Sequence, residues 1–219
     1  MSSDRRVVSW FSCGAASSFA TYLARDKYKD RPFEAVYCRV AEEHRDNLRF
    51  LKDFSYKCTL PVKVIGDEQK QFSIYKVFEE RKFIKGQTGA PCTMVLKKNV
   101  RKKYERHTDT QIFGYTAEEG ARVDRFLDAN NAVDADFILF DNGYTKKDCL
   151  EFVKDLGIEI PVMYQLGYNN NNCVGCVKGG MGYWNKIRVD FPDAFERMAK
   201  LERKLGHAIN KDKDGPVFL

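Results

Sequence analysis

The sequence predicts an α/β fold: a mostly parallel sheet with helices on both faces, continued by a helical C-terminal extension. Three observations predict it. Short β-rich runs alternate with runs of helical period, the first strand ends in a small-residue turn that opens into a helix, and the C-terminal part carries apolar residues at helical spacing. Val7 to Ser12 is the first strand, Ser17 to Tyr28 a helix, and Phe33 to Val40 the second strand. Glu42 to Tyr56 spaces Leu48, Leu51 and Phe54 as a helix does, ending before Cys58. Pro61 to Ile65 is a third short strand, Gln71 to Phe83 a helix, Thr93 to Tyr104 another, and Gln111 to Tyr115 a fourth strand. Beyond the glycine turn "GGMG" one helix runs through Trp184 and Ile187. A second, after Pro192, places Phe195, Met198, Leu201 and Leu205 on one face. Those side chains pack on the sheet or on a second subunit, so a homodimer stays open. "NNNN" at 169–172 reads as a loop, and the last nine residues, "KDKDGPVFL", as a weakly ordered tail.

Composition excludes several classes. The chain has 219 residues, 43% of them hydrophobic, enough for one full core. The opening "MSSDRRVV" has no long apolar run, and no stretch is long enough to span a bilayer, so a soluble, cytoplasmic protein without a membrane partner is expected. Seven cysteines, widely spread and including one CxxC, argue for metal or redox chemistry rather than a secreted disulfide scaffold. A formal charge of +6 permits an anionic partner, a nucleotide or a nucleic acid, without requiring one.

The stretch "WFSCGAASSFATYLA" carries the first chemical signal. It sits at the carboxyl end of a strand, where α/β sheets bind ligands. N–H groups at a helix start lack intrahelical partners, and the helix dipole adds positive potential, so a phosphate docks there if side chains stay small. Ser12, Cys13, Gly14, Ala15, Ala16, Ser17 and Ser18 make up that turn. Gly14 lets the backbone approach closely, and Ser17 and Ser18 cap the helix and offer hydroxyls. The turn is neither GxxxxGK[ST] nor GxGxxG, and the residues alone equally admit a plain serine-capped joint.

Cys173 and Cys176, a CxxC in a Gly- and Asn-rich loop, have the spacing that puts two thiolates on one metal; a reduced, metal-free loop is the alternative. Cys92 follows Pro91 at a helix start among many lysines, which predicts a lowered thiol pKa. Cys13, Cys38 and Cys58 lie in or beside apolar runs and read as packing residues, with Cys13 also inside the turn. The basic run "KKNVRKKYER" either forms a solvated helix or turns Lys97, Lys98 and Arg101 toward an anion, with its other cations in water or on a nucleic-acid backbone. Arg122 and Arg125 lie just past the fourth strand, placed to reach over its end or to pair with Glu118 or Glu119. His44 falls in the polar loop after the second strand; His107 and His207 read as surface residues.

Taken together, "FSCGAASS" resembles the PP-loop (SxGxxS) of the ATP pyrophosphatase superfamily, also called adenine nucleotide alpha hydrolase-like, and especially its phosphoadenosine phosphosulfate reductase branch. "AEEHRDNLRFLKDF", "GAPCTMVLKKNVRKKY", "FGYTAEEGARVDR" and "YQLGYNNNNCVGC" continue the likeness in the family's order from about Val7 to Cys176. Stand-alone proteins of this type, encoded by bacteriophages and bacteria, are similar. The resemblance implies a nucleotide-binding domain over 1–168, with 169–219 forming the CxxC loop and helical extension packed on it. It implies ATP or phosphoadenosine phosphosulfate held by residues 12–18 with Lys98 and Arg125, and Lys97, Arg122 and Cys92 as catalytic residues. It also brings Cys92 beside Cys173 and Cys176. Three thiolates there suit a [4Fe-4S] cluster with one iron open, or zinc with a fourth ligand such as Cys149. The implied reaction adenylates an acceptor with loss of pyrophosphate and then transfers sulfur, with a nucleobase or nucleic acid as acceptor and a separate sulfur donor. Two departures matter. Ala16 stands where many relatives place an acidic residue that helps hold magnesium. No cysteine follows Cys176, so a sulfonucleotide reductase would need another nucleophile, and a non-catalytic binding protein with a structural metal stays open.

Overall fold

The computed structural model describes residues 5–86 and 89–219. The elements run β1 (Val7–Phe11), α1 (Ala15–Lys27), β2 (Phe33–Cys38), α2 (Asp46–Lys57), β3 (Val62–Ile65) and α3 (Ile74–Arg81). A short α4 (Pro91–Thr93), a π-helical turn (Met94–Lys98) and α5 (Asn99–Tyr104) follow, then β4 (Thr110–Ile112) and a 3₁₀ turn (Ala117–Glu119). Next come α6 (Gly120–Ala129), β5 (Asp134–Asp136), α7 (Ile138–Asp141), α8 (Lys146–Asp155) and α9 (Val162–Gln165). α10 (Met181–Asp190), α11 (Pro192–Leu205), β6 (Asn210–Asp212) and β7 (Gly215–Val217) complete the chain. No described helix is long and apolar enough to cross a membrane.

The predicted α/β fold is present. Five parallel strands stand in the order β3-β2-β1-β4-β5. Alternation along β1 covers both faces. Val7 and Phe11 join the cluster built with Phe19 and Ala20 of α1, Phe50 and Phe54 of α2, and Val153 of α8, while Ser9 Oγ lies 2.8 Å from Thr21 Oγ1 of α1. Trp10 faces the other way, toward Phe113, Val123 and Phe126, and meets the Tyr104 ring edge-on.

The chain forms two compact units. The first holds the chain through Cys38, Arg45–Ile65 and Lys102–Asn171, and therefore the whole parallel sheet. The second gathers Arg39–His44, Gly66–Arg101 and Asn172–Leu219, so segments from within the first 168 residues join the C-terminal part.

Several predicted boundaries move, each for a local reason. The expected helix over 42–56 starts only at Asp46, because the Glu42 carboxylate accepts from Ser73 Oγ (2.6 Å) and the Ile74 N–H (2.9 Å) and so caps α3. The helix expected from Gln71 starts at Ile74, since Gln71 and Phe72 both take left-handed φ, 52° and 56°. The helix expected over 93–104 is helical throughout and begins two residues earlier, with a π turn over 94–98 inside it. The tail expected to be weakly ordered is instead the β6–β7 hairpin. Glu202, fully buried, accepts from the N–H groups of Ile209 (2.5 Å) and Leu219 (2.7 Å) and ties that hairpin down.

At the amino end of the sheet Arg6 donates to both carboxylate oxygens of buried Asp109 (3.1 and 2.6 Å) and to Glu34 (3.2 Å), clamping the starts of β1 and β2 to the turn before β4. Burial alone would raise the Asp109 pKa, but the Arg6 guanidinium and the Arg106 N–H hold it below its ordinary value. A depressed carboxyl stabilises the fold fully above its unfolded pKa, about 3.9, and loses that contribution as pH falls through the folded value. Asp109→Asn is therefore expected to cost about 3 kcal/mol at neutral pH by leaving Arg6 buried and underpaired. It should also flatten the acid limb of a urea-stability profile; an unchanged limb would remove Asp109 as its source.

Candidate functional site

The turn after β1 lies where the strand order reverses. β1 leads leftward to β2 and β3, the chain then returns to β4 on the other side of β1, and the crevice between the carboxyl ends of β1 and β4 is the place where such sheets take ligands. Cys13 holds a left-handed φ of 56°, a strained state for a non-glycine residue. Asn171 keeps it there, donating from Nδ2 to the Cys13 carbonyl (2.6 Å) and to Asn47 Oδ1 (2.9 Å). Ser17 Oγ gathers the turn: it accepts from the N–H of Ser12 (3.0 Å) and donates to the Gly14 carbonyl (2.9 Å). Ser18 Oγ also donates to that carbonyl, at 2.8 Å. Ser12 stays exposed at the mouth, whereas Gly14, Ala15, Ser17 and Ser18 are buried and Ala16 is half-buried.

Three residues that spacing arguments passed over complete this turn. Gly114, just past β4, comes so close that a Cβ there would lie 2.8 Å from both Cα and N of Ser17. The Tyr164 hydroxyl lies 3.2 Å from the place of a Gly14 Cβ; burial raises its pKa, against the pull of the Ala15 and Asn171 N–H groups. Asn171 is buried, and its Oδ1 has no hydrogen-bond partner among the described residues. A buried acceptor without a partner beside a small-residue helix start fits a ligand with a donor of its own, such as an amino group or a hydroxyl. In sequence Gly114 reads as part of the fourth strand, Tyr164 carries no signal, and Asn171 is one asparagine among four.

The second unit holds Cys92, Cys173 and Cys176. Gly175, with φ 75°, makes the tight turn of Cys173-Val174-Gly175-Cys176, and a Cβ on it would stand 3.1 Å from the Trp184 ring. Tyr183 staples that turn: its hydroxyl accepts from the Cys176 N–H (2.9 Å) and donates to the Cys173 carbonyl (3.0 Å). Cys173 also pairs with Glu43 as an antiparallel bridge, and Glu43 Oε1 takes the Lys97 ammonium at 2.8 Å. Burial pushes the Cys173 thiol well up; Glu43 pushes it further, Lys97 opposes, and Cys176 and Cys92 both add to the rise. The expected lowering at Cys92 is reversed. Burial comes first and Cys176 second, and Lys178 and the Thr93 contacts do not offset them.

The thiols are thus electrostatic neighbours: Cys176 makes both Cys92 and Cys173 harder to ionise, Cys92 adds to the rise at Cys173, and a cation among them would remove that penalty. Their donor chemistry fits a thiophilic metal or cluster. As the side chains stand, no group of three or more His, Cys, Asp or Glu among the described residues closes into a metal-binding set. Cys149 belongs instead to the core of the first unit, its thiol pushed up to about 12 by burial and by Asp148 and Glu118. Cys13 and Cys58 pack on that same core. All seven cysteines are free thiols.

The basic residues divide. Lys97 is held by Glu43, and Lys98 is exposed. Arg122 is exposed, ion-pairs with Glu119 and lies 4.6 Å over the Tyr115 ring; Arg125 is exposed beside it. His44 meets Phe191 edge-on, and His107 is exposed as expected. His207 is no plain surface residue: its Nε2 sits 2.7 Å from the Lys85 carbonyl and its ring tilts on Phe83.

Solved structures with a similar fold include a tRNA-modifying enzyme. The U34-tRNA thiolase NcsA from Methanococcus maripaludis, solved with its [4Fe-4S] cluster, aligns over 93% of this chain and 73% of its own length, with 14% identity and a TM-score of 0.47. No family model matches the sequence, and no curated protein matches it.

Proposed function

We propose that the chain is an adenine-nucleotide-binding enzyme of the PP-loop type, similar to the phosphoadenosine phosphosulfate reductase branch, which activates an acceptor by adenylation. The observation that carries this reading is the turn at the reversal of strand order, where strained Cys13, the Ser17 hub and the closely applied Gly114 leave a small-residue helix start beside the unpartnered Asn171 Oδ1. In the proposed reaction ATP lies with its phosphates on residues 12–18. An acceptor oxygen attacks the α-phosphorus, the bond to the β-phosphate oxygen breaks, and pyrophosphate leaves. N–H groups at the start of α1 stabilise the added negative charge, with Arg122 and Arg125 as the proposed cationic partners. Arg122 must leave Glu119 to do this. Ala16 offers no carboxylate, so any magnesium would be held mainly by the phosphates.

Cys92, Cys173 and Cys176 are the residues we assign to a [4Fe-4S] cluster with one open iron, or to zinc with a fourth ligand. Such a group supplies a site at which sulfur can be held. Tyr183 and Gly175 fix the CxxC turn for that role. A nucleobase in a nucleic acid is the acceptor class we favour.

The test is product analysis. Anaerobically purified protein given ATP, magnesium and total tRNA is expected to release pyrophosphate, and to release AMP once sulfide is added as the nucleophile that displaces it from the acceptor. Sulfite from phosphoadenosine phosphosulfate with thioredoxin would replace this reading by a sulfonucleotide reductase, and nucleotide binding without either product would leave a binding protein.

A further inference from the structure

At the far end of α1 from the small-residue turn, the amino ends of β2 and β3 border a cleft of about 430 Å³. The 13 residues of α1 separate the two places by roughly 20 Å. Four cations line the cleft, Arg25, Lys29, Arg31 and Lys63, against one carboxylate, Glu34. That carboxylate is already engaged: Arg6 lies 3.2 Å away, and Tyr104 donates to it. The cleft therefore carries half of the chain's net charge of +6 in one place. The carboxyl end of α1 contributes partial negative charge there, but Arg25 in its last turn and Lys29 and Arg31 beyond it outweigh that.

The cations come in two kinds. Arg31 is positioned: Nε donates to the Arg5 carbonyl and Nη2 to Thr110 Oγ1, both at 2.8 Å, with the Tyr28 ring 5.0 Å below. Lys63 lies 4.9 Å over the Tyr104 ring. Arg25 and Lys29 are exposed and have no ion-pair partner among the described residues. Between them Phe33, Leu60 and Pro61 form an apolar floor. Free inorganic phosphate has no use for such a floor, whereas an unstacked base or a ribose does. Cations spread along a rim match successive phosphates of a strand better than one point charge.

We propose that this cleft binds single-stranded nucleic acid, its phosphodiesters on Arg25, Lys29, Arg31 and Lys63 and a splayed base on Phe33. The site is independent of whether the small-residue turn binds ATP.

Fluorescence anisotropy with a labelled single-stranded oligonucleotide of about 15 nucleotides, titrated at several salt concentrations, tests it. R25A/K29A is expected to weaken binding about tenfold and to reduce the slope of log K against log salt by about 1.4, two single-strand phosphate contacts. Lys63→Ala, on a separate strand, is expected to weaken it in the same direction, whereas K211A/K213A, an equal charge loss on the exposed β6–β7 hairpin, leaves it unchanged. Three results would overturn the proposal: wild-type binding by R25A/K29A, an equal loss in K211A/K213A, or displacement of the oligonucleotide by free AMP at equal phosphate concentration, which would mark a mononucleotide pocket.

Discussion

Serine at Cys92, Cys173 or Cys176 is expected to remove most of the metal from anaerobically purified protein, while Cys38→Ser and Cys58→Ser leave it in place. The expectation rests on the thiols' shared electrostatics. Cys173 is raised by burial, by Glu43 and by both other cysteines, and Cys92 by burial and by Cys176, so a cation held among them favours their thiolates. A serine hydroxyl does not ionise at neutral pH, so each substitution removes one anionic ligand outright, and two thiolates rarely hold a metal alone. Cys58 packs on the core of the first unit, its thiol pushed up to about 11 by burial alone. Iron and sulfide in equal amounts, with absorbance near ~400 nm that dithionite bleaches, would mark a cluster; stoichiometric zinc in a colourless protein would mark the alternative. Wild-type protein with neither, or an equal loss in Cys58→Ser, sinks the three-cysteine centre. Tyr183→Phe adds a graded check: it deletes both bonds that staple the CxxC turn while keeping the ring, so it should loosen the metal without abolishing it.

The sheet was legible because hydrophobic alternation and helical period are local signals. β1, β2 and β3 fall within two residues of their predicted bounds, and the turn at 12–18 lies where a strand-to-helix joint with small side chains must lie. What the sequence hid was made by distant residues. Glu42 reads as the start of a helix, yet its carboxylate caps α3, some thirty residues on, and no periodicity encodes that. β5, Asp134–Asp136, is three residues long with two acidic members, which no strand propensity favours; it exists because its backbone pairs with β4. Asp136 then finds Lys27 and Tyr28, both at 2.6 Å. The Cys92 thiol shows the same limit. Its lysine-rich neighbourhood in sequence suggested a lowered pKa, but burial and Cys176 act through space, and of those lysines Lys97 is taken by Glu43.

Gly114→Ala should be more damaging than Gly14→Val, although Gly14 lies in the turn itself. An alanine Cβ at 114 would sit 2.8 Å from the Cα and N of Ser17 and 2.9 Å from the Ala16 carbonyl carbon, all backbone, whereas ordinary contact begins near 3.4 Å. Nothing flexible can yield, so the first turn of α1 must move off β4 by about half an ångström, and overpacking of this kind costs about 1–3 kcal/mol. The same movement disturbs the Ser17 Oγ hub and, with it, the orientation of the N–H groups proposed to hold phosphate. Gly14 is different. Its φ of −108° and ψ of 159° suit any residue, and its nearest obstacle is the Tyr164 hydroxyl at 3.2 Å, the end of a side chain. Gly14→Val therefore keeps the fold and fills the approach to the turn with its branched methyls. In calorimetry with ATP both variants are expected to lose at least about tenfold in affinity, because small displacements at a phosphate seat are costly. Only Gly114→Ala should also lower the midpoint of thermal unfolding, by roughly 2–12 °C for a chain of this size. ATP affinity unchanged in both variants would show that the turn at residues 12–18 does not seat the nucleotide.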